Sequence, residues 1–174
     1  MNQRRWIIKT FILSFFLAII FSLGTNAFSS KMSFIILLLL TLLIIFIGIV
    51  FDMIGTSILT SNEATFHAMS TKKIKGSKQG VNLIKNSANV SNFCNDVIGD
   101  VCGIISGSLS LTLSIIISKK LNISLSFVTM LVAGLISAIT IGGKAIGKQI
   151  AIKKCDKIVY NVAKILSTFC KNGK

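Results

Sequence analysis

Five acidic residues carry what chemistry this chain of 174 residues could perform: Asp52, Glu63, Asp96, Asp100 and Asp156. Asp96 and Asp100 stand four residues apart at the start of an apolar run, so a helix would place both carboxylates on one face. Carboxylates so placed repel each other, and burying them unpaired costs several kcal/mol. They call for something positive: a metal ion, a proton or a lysine. Asp52 lies inside another long apolar run and Glu63 follows its polar end; ionisable groups at that depth in lipid mark functional candidates. Other reactive sets are weak. Cys94, Cys102, Cys155 and Cys170 form no CxxC pair and His67 is the single histidine, which leaves no Cys/His metal set and suits small apolar fillers. Gly142 to Gln149 reads GGKAIGKQ, matching GxxxxGK without the closing Ser or Thr that a phosphate loop needs on magnesium. Neither a nucleophile–base pair nor a hydrolytic metal set is visible, so no enzyme activity and no bound cofactor are expected.

The elements that would position these residues are apolar helices. The chain is 52% hydrophobic and 14% charged, with a mean hydropathy of +0.80, where a soluble domain carries about a quarter charged residues. The charges gather in blocks between long uncharged stretches, the pattern of membrane spans separated by wet loops. Four runs are apparent: Trp6–Leu23, Phe34–Leu59, Val97–Ile117 and Ile123–Ile141. The expectation is an all-α integral membrane protein, a four-span helical bundle. Residues 1–30 hold the first span, and residues 31–174 hold the remaining three. The first run, preceded by Arg4 and Arg5, reads either as an uncleaved signal anchor or as a signal peptide cleaved after Ala27; its length favours the anchor.

Between the second and third runs, Ala64–Asn95 is polar and lysine-rich, with Val81, Leu83 and Ile84 supplying a modest apolar side. Short amphipathic helices at the lipid headgroups are expected there. Ser118–Asn122 is the only break between the third and fourth runs, which predicts an antiparallel hairpin. From Lys148 onward, Ile150, Ile152, Ile158, Val159, Val162, Ile165, Leu166 and Phe169 alternate with lysines, as in a basic surface helix.

A balance of 19 Lys+Arg against 5 Asp+Glu would suggest nucleic-acid binding in a soluble protein. Here placement decides otherwise. With the N-terminus inside, Arg4, Arg5, Lys9, the five lysines from Lys72 to Lys85 and the eight from Lys144 onward are cytoplasmic, leaving Lys31, Lys119 and Lys120 outside. That asymmetry orients a multi-pass protein of the cell membrane with both termini in the cytoplasm, and it excludes nucleic acid as the partner. The Lys, Ile and Asn bias and the absence of Pro hint at an AT-rich bacterial genome.

The third run has a polar stripe. Asp96, Gly99, Gly103, Ser106, Gly107, Ser110, Ser114 and Ser118 lie within roughly a third of the circumference about Asp100 on an ideal helix. Its glycines form a small-xxx-small ladder suited to close helix packing. On the fourth run Ser126, Ala133, Ser137, Thr140 and Lys144 share a face. A hairpin would bring Lys144 beside the start of the third run, within reach of Asp96 or Asp100; alternatively Lys144 snorkels to the cytoplasmic headgroups.

Three stretches resemble the transmembrane domain of the cyclin M (CNNM) and CorB/CorC magnesium transporters. Thr60-Ser61-Asn62-Glu63 looks like that family's Ser-Gly-Ser-Glu. Gly76 to Asn86 followed by Ile98-Gly99-Asp100 looks like its belt helix and Ile-Gly-Asn span, and Gly143 to Lys148 like its Gly-Glu-Ile-x-Pro-Lys. The resemblance covers about residues 34 to 170. It implies a three-span domain with a belt of juxtamembrane helices, usually a homodimer, that carries a largely dehydrated magnesium ion as cargo. The first span is then an addition, and the family's cytoplasmic regulatory domains are missing from this sequence, leaving room for an unknown cytoplasmic partner. The implied metal residues are Thr60, Asn62 and Asp100 or Asp96, with Glu63 nearby. Lys144 stands at the family's Glu, a charge reversal. A lysine ammonium repels magnesium, so Asn-to-Asp with Glu-to-Lys reads as a compensated swap. Two functions follow: a divalent-cation carrier, or a non-transporting membrane scaffold in which Lys144, paired with Asp100 or Asp96, replaces the ion.

Overall fold

The computed structural model describes residues 32–170 and, before them, residues 8, 11–12, 14–20 and 23–24. The described parts of the first apolar run are helical; the choice between anchor and signal peptide, and with it the fourth span, falls outside the described residues.

Among the described residues every regular element is helical: α1 (Phe34–Thr60), α2 (Glu63–Thr71), α3 (Ser77–Lys85), α4 (Ser87–Asn92), a π-helical turn (Phe93–Ile98), α5 (Gly99–Leu121), α6 (Leu125–Lys153) and α7 (Cys155–Cys170). Three stretches are long and apolar enough to cross a bilayer: Phe34–Thr60, Ser87–Leu121 and Leu125–Lys153, with mean hydropathies of 3.4, 2.0 and 2.1. At 1.5 Å per residue the shortest of them extends about 40 Å, beyond the ~30 Å hydrocarbon core. The chain is membrane-embedded. Large apolar side chains exposed along these helices, such as Ile35, Leu39, Phe46, Leu131, Leu135 and Ile141, then meet lipid rather than water.

The chain divides into two compact units. The first comprises residues 1–49 and 97–143. Its core is a four-residue-spaced stripe on α5, Val101, Ile105, Leu109 and Leu113, closed by Leu37 of α1, with Leu40, Ile44 and Ile116 beside them. Spacing of four keeps the stripe on one helical face. Gly48 lets α1 approach the Cys102 side chain, where an added Cβ would sit 3.1 Å from Cys102 Cβ. The expected hairpin is present. Asn122 closes α5 in the left-handed region at φ 55°, and Ser118 Oγ donates to the Ile123 carbonyl at 2.7 Å. The two helices then run antiparallel, with Gly103, Gly107 and Ser110 facing Ile141, Ser137 and Ala133 across a cleft of about 210 Å³.

The second unit comprises residues 50–96 and 144–174. Its core joins Ile58 at the end of α1, Phe66 of α2, Ile84 of α3 and Val159 of α7. Phe66 is fully buried, its ring filling the space that a side chain at Gly80 would take. Asn62 caps α2 by accepting the Ala64 N–H at 2.9 Å. Gly76, at φ 90°, starts α3 against the Lys164 backbone of α7, about 3.0 Å from where its Cβ would be. On α7, Val159, Ala163 and Ser167 are buried one turn apart, while Lys157, Lys164, Ile165 and Leu166 are exposed.

Two boundaries differ from expectation. The helix that holds the third apolar run begins at Ser87, ahead of Val97, because the π turn lets α4 continue into α5. The fourth runs through the GGKAIGK stretch to Lys153. Gly147 does not break it: the residue is buried inside α6, and the chain steps only at Lys154 before α7. A helix occupying Gly142–Gln149, with another helix before it, has no phosphate-loop geometry.

Candidate cation site

Inside the second unit, α1 carries Asp52, Gly55 and Ser57 toward the protein; all three are buried. Asp52 is 4% exposed. Gly55 follows it by three residues, so both lie on one face of α1. The π turn presents Asn95 to that same face. A side chain at Gly55 would collide with the Asn95 amide oxygen, so the glycine is what permits the approach. π-Helical turns recur at functional sites because the extra residue redirects one side chain.

Two oxygen atoms result that are buried and accept no hydrogen bond: Asp52 Oδ2 and Asn95 Oδ1. Neighbouring polar groups are committed elsewhere. Asn95 Nδ2 donates to Ser91 Oγ at 3.3 Å, Thr56 Oγ1 to the Asp52 carbonyl at 2.9 Å and Ser57 Oγ to the Met53 carbonyl at 2.8 Å. The charge opposite Asp52 comes from α6, whose Lys148 Nζ lies 3.8 Å from Asp52 Oδ2. Buried acceptors without donors are costly; a carboxylate oxygen and an amide oxygen are also the hard donors that alkali and alkaline-earth cations prefer. Magnesium commonly takes one or two carboxylates and keeps several waters; this face of α1 and the π turn supplies one carboxylate oxygen and one amide oxygen.

The residues singled out from sequence are mostly elsewhere. Thr60 Oγ1 donates to the carbonyls of Thr56 and Ser57. Asn62 is occupied as the α2 cap, and its N–H donates to Asp156 Oδ1 at 3.3 Å. Glu63 Oε1 faces His67 Nε2 at 3.1 Å, with both side chains about half exposed. Asp96 and Asp100 are exposed and make no hydrogen bond or ion pair among the described residues; Asp96 belongs to the second unit and Asp100 to the first. No group of three or more His, Cys, Asp or Glu side chains suited to a metal ion is present among the described residues.

Lys144 and Asp96, both of the second unit, form no ion pair. The lysine that meets a carboxylate is Lys148, one turn further along the unbroken α6. A buried charge demands a counter-ion far more than an exposed one, so the lysine goes to Asp52. The Asp52 carboxylate was visible in the sequence as an intramembrane acid; Asn95 was not, because its direction depends on the π turn. The serine stripe of α5 is occupied internally. Ser106, Ser110 and Ser114 are buried and donate to the carbonyls of Gly103, Gly107 and Ser110.

No known protein family, curated protein or solved structure matches this chain.

Proposed function

We propose that this protein carries a small divalent cation, magnesium being the best fit, across the cell membrane. The observation that supports this most is the pair of buried, donor-free oxygens, Asp52 Oδ2 and Asn95 Oδ1, on an intramembrane helix face kept open by Gly55. The resemblance of Thr60–Glu63, Gly76–Asp100 and Gly143–Lys148 to the CNNM and CorB/CorC transporters adds to the reading, with the ion-holding oxygens moved from Thr60, Asn62 and the Asp96/Asp100 pair to Asp52 and Asn95. Four spans counting residues 6–23, both termini in the cytoplasm, and α2, α3 and α7 lying as a belt at the inner headgroups complete the arrangement. Their lysines fit the positive-inside tendency. A homodimer is the assembly that the resemblance implies, and the Lys, Ile and Asn bias fits a bacterial source.

The alternative is a non-transporting scaffold. It is favoured by Lys148 standing at Asp52, which places an ammonium where a cation would be bound, in the role that the resemblance gave to Lys144 paired with Asp100 or Asp96. Flux separates the two. Proteoliposomes holding a magnesium-sensitive dye should take up magnesium down its gradient with the wild type, and lose at least nine-tenths of the rate with Asp52→Asn. Vesicles carrying folded wild-type protein that remain impermeable would leave the scaffold.

A further inference from the structure

The ion pair between Lys148 and Asp52 is asymmetric. The Asp52 side chain is 6% exposed and the Lys148 side chain 53%. Their 3.8 Å separation exceeds the roughly 2.7–2.9 Å of a charge-assisted hydrogen bond, so the ammonium is drawn to the carboxylate without being locked onto it. A structural buried pair would have both ends desolvated and their remaining hydrogen-bonding positions filled. Here Asp52 Oδ2 accepts no hydrogen bond, and half of the lysine remains outside. Lys148 also has a flexible four-carbon stem that can swing its charge outward without backbone movement.

We infer that Lys148 is a displaceable internal counter-ion: its ammonium neutralises Asp52 in the cation-free protein, and a divalent cation entering between Asp52 Oδ2 and Asn95 Oδ1 drives it out. The inference rests on the cation reading of that site and adds a competition to it. A dication and an ammonium within a few ångströms repel, and both seek the same carboxylate, so the two occupancies exclude each other. Displacement is cheap because the lysine already touches the outside. The protein therefore never has to hold Asp52 as an uncompensated buried charge between one ion and the next.

Two measurements on the full-length protein in detergent test this. In the first, the wild type is treated with an amine-acetylating reagent with and without magnesium chloride, and modification at each lysine is followed by mass spectrometry. Magnesium should speed acetylation of Lys148 threefold or more while leaving Lys157 and Lys164 unchanged. In the second, magnesium binding is measured by calorimetry on the wild type and Lys148→Met. Removing the competitor should tighten binding at least tenfold, and Lys148→Arg should bind no more tightly than the wild type. A wild type that binds and transports magnesium while Lys148 reactivity stays flat and Lys148→Met gains nothing overturns the counter-ion and leaves the carrier standing. Binding by Lys148→Met but not by the wild type supports the counter-ion and sinks the carrier. No binding by either overturns both. Should Lys148→Met fail to fold, wild-type acetylation decides alone, a flat rate overturning the inference.

Discussion

Asn95 and Gly55 are a matched pair in which one residue's missing side chain makes room for the other's amide. Gly55→Ala should cost about 1–3 kcal/mol, the usual range for overpacking a tight contact, read as a lower midpoint in thermal unfolding in detergent. Asn95→Ala in the same chain removes the obstructing amide, so the double substitution should recover most of the loss; contacting residues couple by about 0.5–3 kcal/mol. Additive losses would show that Gly55 serves something other than Asn95. Asp52 was readable as an intramembrane acid because a single charge stands out in an apolar run. Its partner was not. Lys144 and Lys148 are both lysines on one face of one helix, one turn apart, and no pattern in sequence says which is level with a buried carboxylate. Asp96 and Asp100 attracted attention by their spacing and by the resemblance of Ile98-Gly99-Asp100, and both are exposed.

At the scale of elements, the short helices of the lysine-rich segment depend on a few close approaches. Phe66 joins α2 to α3 and α1 in one small core. Phe66→Ala should cost about 3–5 kcal/mol, as buried aromatic truncations do, and should loosen α2 and α3 together in hydrogen exchange while α5 keeps its protection. Gly76→Ala places a side chain at φ 90° against the α7 backbone, combining left-handed strain of about 1–2 kcal/mol with a steric clash. Exchange protection in α7 should fall with it. Protection in α7 that stayed at the wild-type level would sever the link between α3 and α7. The length of the uncharged stretches announced the three long apolar helices, because charges gather mostly in the segments between them. The apolar run starting at Val97 did not reveal that its helix begins at Ser87, since a π turn changes the hydrogen-bond step without any marker residue such as proline or a glycine pair.

For the whole molecule, the charge asymmetry makes an orientation prediction. Reporter fusions after Lys120 and after Lys174 should report opposite compartments, the second cytoplasmic; the same compartment for both would remove either a span or the assigned orientation. Composition and the length of uncharged runs determined by themselves that this chain is helical and lives in lipid. In a bilayer, backbone groups must be satisfied within the segment, and an apolar run of spanning length has few other structures open to it. The hairpin was equally legible, since five residues between two spans leave no other path. Which oxygens face inward without donors, which lysine answers Asp52, and how a π turn aims Asn95 at Gly55 were decided by tertiary packing alone. Such choices turn on ångström-scale contacts between segments distant in sequence, and the local pattern that drives each helix into the membrane carries no record of what it will meet there.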